Sequence, residues 1–251
     1  MATLPNQLPR LTLPAGTLVD TTDDGPWHEP LLWYADAPVR PGDWARLRST
    51  GRPLGLLPVL IDTGRRDEGP QDWELRPADT TYPGDHDAEE VLAEAWEAYT
   101  WDEPEEVVAR WPGLAPSPAV STPETPDQLA SEVADMLADT ARPALVPARR
   151  SADIPAAIGW SGPLNHENDV ARLCAVLRSW EDRYDIRVVT LGFDTLKVSV
   201  GRPPTTEAEA YALAAEHFAF CPDNVDVRPR GRRSYAEKHL LGQEVWSFWW
   251  D

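Results

Sequence analysis

The chain is 251 residues long, 42% hydrophobic and 26% charged, with 12 tryptophans and a net charge of −19. These are the proportions of a globular protein with one large or two modest domains, each able to bury a core. So acidic a field repels nucleic acid and anionic membrane, and it favours solubility or a basic partner.

The charge is unevenly placed. Residues 1–141 hold nine arginines and no lysine against 27 acidic residues, whereas residues 142–251 hold 14 basic and 15 acidic ones. Lys197 and Lys238 are the only lysines, which, with 26 prolines, is the usage of a GC-rich bacterial genome. No basic stretch followed by an apolar core opens the chain, so no signal peptide is expected. The apolar run at 55–62 is too short to cross a bilayer. Cys174 and Cys221 give no disulfide framework and suit a reducing compartment, which makes the cytoplasm the expected location.

In chain order, residues 17–20, 30–34 and 55–61 read as short strands, with a helical turn at 43–48 between them. In "DHDAEEVLAEAWEAY", Val91, Leu92, Ala95, Trp96 and Tyr99 recur at helical spacing opposite an acidic face. Pro104 suits the start of a short helix over 104–111. The proline-rich stretch 111–126 favours extended backbone and reads as a linker. It is followed by a helix, "TPDQLASEVADMLAD", with Leu129, Val133, Met136 and Leu137 on one face. A strand at 144–148 then leads to a long helix over "NHENDVARLCAVLRSWEDRY", for which Asn165 offers an N-cap. "IRVVTLG" and "TLKVSV" predict two strands around a turn at 192–194. "TEAEAYALAAEHFAF" predicts a helix capped by Thr205 or Thr206 and stopped by Pro222. A basic loop, "VRPRGRR", a short helix ended by Gly242 and an aromatic strand close the chain.

This pattern implies an α+β protein of two small domains. Residues 1–111 form an acidic N-terminal domain, 112–141 a linker with one helix, and 142–251 a C-terminal domain. The last is expected to be a mostly antiparallel sheet with helices on one face. In the terminal "EVWSFWWD", large rings alternate to both sides of the strand. A strand apolar on both faces belongs inside a sheet, covered on each side.

The stretches "AIGWSGP", "LRSWEDRY", "GFDTL", "AEHFAFCPDN" and "WSFWWD" resemble the hallmark segments of a bacterial family known as domain of unknown function 4253. They cover roughly residues 142–251 in order. "LLWYAD…WARLRSTGRPLGLLPVLI" is similar to the segment that often precedes this domain. The basic run after "CPDN" departs from the pattern. The resemblance implies no activity and therefore no catalytic residue.

Three groups of residues could carry chemistry. His217 and Cys221 are four apart, with Asp223 just beyond, so an imidazole could deprotonate the thiol. Against that, Cys221 falls at a helix C-terminus, where the dipole disfavours a thiolate, and a buried thiol beside a tucked histidine is the simpler reading. Ser161 and His166 flank a tight turn as serine–histidine chemistry requires, yet "GWSGP" lacks nucleophile-elbow spacing. The same acidic loop more simply caps a helix. Finally, Glu89, Glu90, Glu94 and Glu97 line an acidic helix face, and Arg228, Arg230, Arg232 and Arg233 form a basic run able to hold an anion. Both are simplest as solvated charge, or as partners of each other across the domain interface.

No phosphate loop, His-Glu-x-x-His, EF-hand loop or Cys-x-x-Cys is present, so no cofactor or metal is expected. Uneven charge, many tryptophans and the lack of catalytic spacing favour a soluble interaction protein with a basic protein partner. The alternative is an enzyme whose Cys/His or Ser/His site lies at the domain interface.

Overall fold

Strands that are apolar at alternate or successive positions need cover, and here they obtain it from one another and from helices on both sides. The computed structural model describes residues 4–104, 108–118, 124–137 and 141–251. The first part of the chain forms α1 (Leu4–Gln7), β1 (Gly16–Val19), a small hairpin of β2 (Thr21–Thr22) and β3 (Gly25–Pro26), and β4 (Leu32–Ala35). α2 (Asp43–Gly51), β5 (Leu56–Asp62), α3 (Ala88–Thr100), α4 (Pro126–Met136) and β6 (Ala141–Pro147) follow. Next come α5 (Ile154–Ile158), α6 (Val170–Tyr184), β7 (Ile186–Leu191), β8 (Thr195–Val200) and α7 (Glu207–Phe220). α8 (Pro229–Tyr235) runs into a π-helical turn, Ala236–Leu240, before β9 (Val245–Trp249).

Seven strands make one sheet in the order β1-β4-β6-β5-β7-β8-β9. Neighbours are antiparallel except β5 and β7, which run parallel. The protein is therefore α+β with a mostly antiparallel sheet. Strands from both sides of the boundaries expected at 111–112 and 141–142 share this sheet, because β6 pairs along the whole of β5.

Side chains of β5 explain why its run is apolar throughout. Leu57, Val59 and Ile61 join a large core cluster under α3, α5, α6 and α7. Leu60 meets Trp44 of α2 and Leu129 and Val133 of α4 on the opposite face, and Leu56 meets Leu47. Helices therefore cover both faces of the sheet, not one: α4, read as part of a linker, packs over Val189 of β7.

Helix ends follow the local chemistry. The Asp87 carboxylate accepts from the Glu89 and Glu90 amides at the start of α3, and capping boxes close α4 (Thr125 with Gln128) and α7 (Thr206 with Glu209). α6 begins at Asp169, whose carboxylate accepts from Ala171 N–H at 3.0 Å; Asn165 instead donates to the Asp251 carbonyl at 2.9 Å. A charged cap directly before the first apolar residue outcompetes the more distant amide. The basic stretch expected as a loop is helical, since Pro229 at the first helical position is preorganised and arginine is a good helix former. Of the helix expected at 104–111, residues 105–107 lie outside the described residues, and 108–111 are not helical.

The aromatic strand β9 is at the sheet's edge, where cover on both faces was expected. Trp246, Phe248 and Trp250 are buried on one side, while Ser247 and Trp249 face solvent on the other. Trp250 continues the buried row past the strand's end, so the rings divide by face and not by number. Its free edge is nonetheless occupied. Asn224 Nδ2 donates to the Ser247 carbonyl at 2.7 Å, and Trp249 N–H donates to Asn224 Oδ1 at 3.2 Å. The side-chain amide thus stands in for one peptide group of a neighbouring strand.

Candidate functional site

The residues singled out above fall in three places. The first is the floor of the aromatic core. His217 and Cys221 are both fully buried. His217 sits in a ring of aromatics, with Trp246 at 4.7 Å, Trp180 at 4.8 Å and Phe248 at 4.9 Å between centroids. Its Nδ1 meets the Tyr235 hydroxyl at 3.1 Å. Burial, with a smaller contribution from His239, pushes its pKa well below the ordinary histidine value, so it is neutral at pH 7. The Cys221 thiol donates to the Trp249 carbonyl at 3.0 Å, and burial raises its pKa to about 12. A thiol so placed is not ionised at neutral pH and is not a nucleophile. Cys221 and Asn224 instead hold the outer backbone groups of β9.

The second place is the surface above that core. Here His166 Nε2 is 2.9 Å from Asp223 Oδ2, which also accepts from Asp251 N–H at 3.0 Å. Tyr99 packs edge-on to His166 at 5.7 Å, and burial, with smaller contributions from the charges of Glu167 and Asp223, raises its pKa to about 12. His166 is thus joined to Asp223 and not to Ser161, whose hydroxyl makes no hydrogen bond to His166 among the described residues. The turn around Ser161 serves packing. Gly159 adopts φ +63°, and a Cβ there would lie 2.2 Å from Pro77 N. A Cβ on Gly162 would lie 2.1 Å from the Trp160 ring. Trp160 in turn donates to the Gly192 carbonyl at 2.9 Å and meets Trp250 edge-on.

The third place is the outer face of α3. Glu94 pairs with Arg172 at 2.6 Å, whereas Glu89, Glu90 and Glu97 are exposed and make no ion pair among the described residues. Trp101, immediately after the helix, is 85% exposed. The basic run meets this side of the molecule. Arg228 pairs with Glu103 at 3.1 Å, and Arg232 lies over the Trp96 ring at 5.5 Å and the Tyr211 ring at 4.4 Å. Arg233 also lies over Tyr211. Three of its four arginines thus make contacts within the molecule, and Arg230 is exposed without such a contact among the described residues.

One further charged centre went unread in the sequence. The Asp127 carboxylate is shared by Arg187 (2.8 Å), Arg48 (3.0 Å) and Arg52 (3.8 Å). It lies beside a cleft of about 580 Å3 between α2 and α4. The four-residue spacing of Arg48 and Arg52 put them on one helical face, but only the fold brings Asp127 and Arg187 to them.

Among the described residues no group of His, Cys, Asp and Glu side chains could hold a metal ion, and no helix is long and apolar enough to cross a membrane. Residues 142–251 match the model of a family described as Domain of unknown function (DUF4253). That segment contains α5 to α8, β7 to β9 and nearly all of β6, and with them every residue of the first two places except Pro77 and Tyr99. No curated protein and no solved structure matches the chain.

Proposed function

We propose that the protein is a binding protein that docks a basic polypeptide on the outer face of α3, with Trp101 as its anchor. The observation that carries this reading is the exposed Trp101 ring at the carboxyl end of α3, one turn beyond exposed Glu97, with Glu89 and Glu90 exposed in the helix's first turn. A large exposed ring is normally placed to bury itself in a partner, and tryptophan is prominent among the residues that dominate interface energies. The surrounding carboxylates would steer arginine and lysine side chains to it and disfavour acidic competitors. The excess of acid in the first part of the chain supplies the long-range field.

The enzyme alternative is weakened where it was most specific, since the Cys221 thiol and the His217 imidazole are enclosed in the core. A bacterial cytosol suits the reading, because two buried free thiols need no oxidising compartment. The test is titration with a synthetic arginine-rich peptide, followed by fluorescence. Trp101→Ala is expected to weaken binding at least about tenfold, and joint replacement of Glu89, Glu90 and Glu97 by lysine to abolish it. Equal binding by both variants, or equal binding of a glutamate-rich peptide, overturns the proposal.

A further inference from the structure

Helix α4 covers only part of the sheet face on which it lies. Val245, at the start of β9, packs into the cluster of Leu129, Val133 and Val189, and its cross-strand partner Ser199 is buried. Toward the other end of β9 that face is bare. The two-residue period of a strand puts Thr195 and Lys197 of β8 on it beside Ser247 and Trp249 of β9, opposite the buried Phe248. With Asn224, Tyr235 and His239 as a second wall, these side chains line an open groove of about 360 Å3. That is room for one small ring with its substituents.

The groove has a platform. Trp249 is 45% exposed, yet its indole is tied in place, because Nε1 donates to Asp194 Oδ2 at 3.2 Å. An exposed ring held in one orientation is preorganised to be covered by an apolar surface. Around it are polar groups that the molecule does not use. The Thr195 and Ser247 hydroxyls, the Lys197 amine and the His239 ring make no hydrogen bond among the described residues, whereas Asn224 and Tyr235 are engaged with β9 and His217. Hydroxyls and a neutral imidazole both donate and accept, while the amine only donates. The charges here give an anion no purchase. Lys197 Nζ is 4.0 Å from Asp62 Oδ2, and Asp194 adds a second carboxylate beside the indole. At that separation the ion pair is too long for a direct hydrogen bond, and a hydroxyl between the two accepts from the amine and donates to the carboxylate.

We propose that this groove binds a neutral carbohydrate ring, a hexopyranoside, with its C–H face on the Trp249 indole. A pyranose combines an apolar face of C–H groups with a rim of hydroxyls, each able to donate and to accept. Lys197 and Asp62 hold one hydroxyl, and Ser247, Thr195 and His239 are placed to take others. A plain aromatic ligand would cover the indole but leave the polar wall unpaired, and an anionic one would be repelled by Asp62 and Asp194. The groove is lined by residues 195–249 alone, within the segment 142–251, and is independent of the α3 face.

The experiment follows the tryptophan indole N–H resonances of the full-length protein by 15N NMR. The Trp249 signal is assigned by its loss in Trp249→Phe. Methyl β-D-glucopyranoside and methyl β-D-galactopyranoside are titrated separately, with glycerol as a polyol that has no ring and glucose 6-phosphate as a charged counterpart. The Trp249 resonance is expected to move and saturate with at least one glycoside at about millimolar concentration, the affinity of one stack and a few net hydrogen bonds. Glycerol should leave it still, and glucose 6-phosphate should bind more weakly than the glycoside. In Lys197→Gln the affinity should fall about tenfold. Should that variant fail to fold, Ser247→Phe, at an exposed position, fills the groove and should abolish binding. A Trp249 resonance that stays still with both glycosides or moves as far with glycerol overturns the proposal. So does glucose 6-phosphate binding as tightly as the glycoside, or an unchanged affinity in the folded variant.

Discussion

Two buried or half-buried carboxylates in this protein have opposite surroundings. Glu216 of α7 is fully buried, and four donors close on it. Arg183 Nη1 and Nη2 reach its two oxygens at 3.0 and 2.5 Å, Trp180 Nε1 at 2.8 Å and Ala115 N–H at 2.7 Å. One cation balances one anion and every oxygen is satisfied, so nothing there invites a ligand. Asp127 is the reverse case: 30% exposed, at a cleft, with one negative charge among three positive ones. Charge balance, more than burial or residue type, separates the two sites.

The largest effect should come from breaking the balanced site. Glu216→Ala leaves Arg183 buried and unpaired and is expected to cost about 3–5 kcal/mol by denaturant unfolding. Glu216→Leu combined with Arg183→Met should be far milder, because both charges leave together. If the double variant is as damaged as the single one, the site's value lies in its hydrogen bonds to Trp180 and Ala115 and the contrast fails.

A smaller loss, about 1–3 kcal/mol, is expected for Asp127→Asn, which leaves three guanidiniums facing one another in a half-open site. Burial pushes the Asp127 pKa up, but the hydrogen bond from Arg187 and the charge of Arg48 outweigh it and hold it below the ordinary carboxylate value. A depressed carboxylate stabilises the fold above its unfolded pKa, and that stability is lost as the pH falls through the folded one. Stability of the wild type should therefore fall more steeply on acidification than that of Asp127→Asn, measured by denaturant unfolding at a series of pH values.

The gentlest probe is His217. Its pKa is depressed from 6.5 by burial, so its stabilising contribution is present above that value and fades as the pH drops below it. Stability should fall with a slope of up to about 1.4 kcal/mol per pH unit below 6.5, and the slope should vanish in His217→Gln. Persistence of the slope in that variant would overturn its assignment to His217.

Much of the fold was legible. Helical spacing at Val91, Leu92 and Trp96, the shared face of Leu129 and Val133 and the Thr206 cap located α3, α4 and α7, because short-range chemistry decides them. The shared sheet was not, since nothing local in residues 141–147 says that they will pair with residues 56–62. The site was legible only in part. His217 and Cys221 are four apart in sequence, and their burial depends on rings from Trp180, Trp246 and Phe248 on three elements. Asp127 lies in the first turn of α4, where an acidic residue is ordinary, and the arginines that surround it come from α2, the residue after it and β7.

The Asn224 amide has a consequence for the protein in concentrated solution. An open strand edge is a template on which another copy can stack, and aromatic strands of low charge are the ones most prone to it. β9, with Trp246, Phe248 and Trp249 in five residues, is such a strand. By occupying the Ser247 carbonyl and the Trp249 N–H, one asparagine side chain interrupts that template at its middle, where an incoming strand would have to displace it to pair.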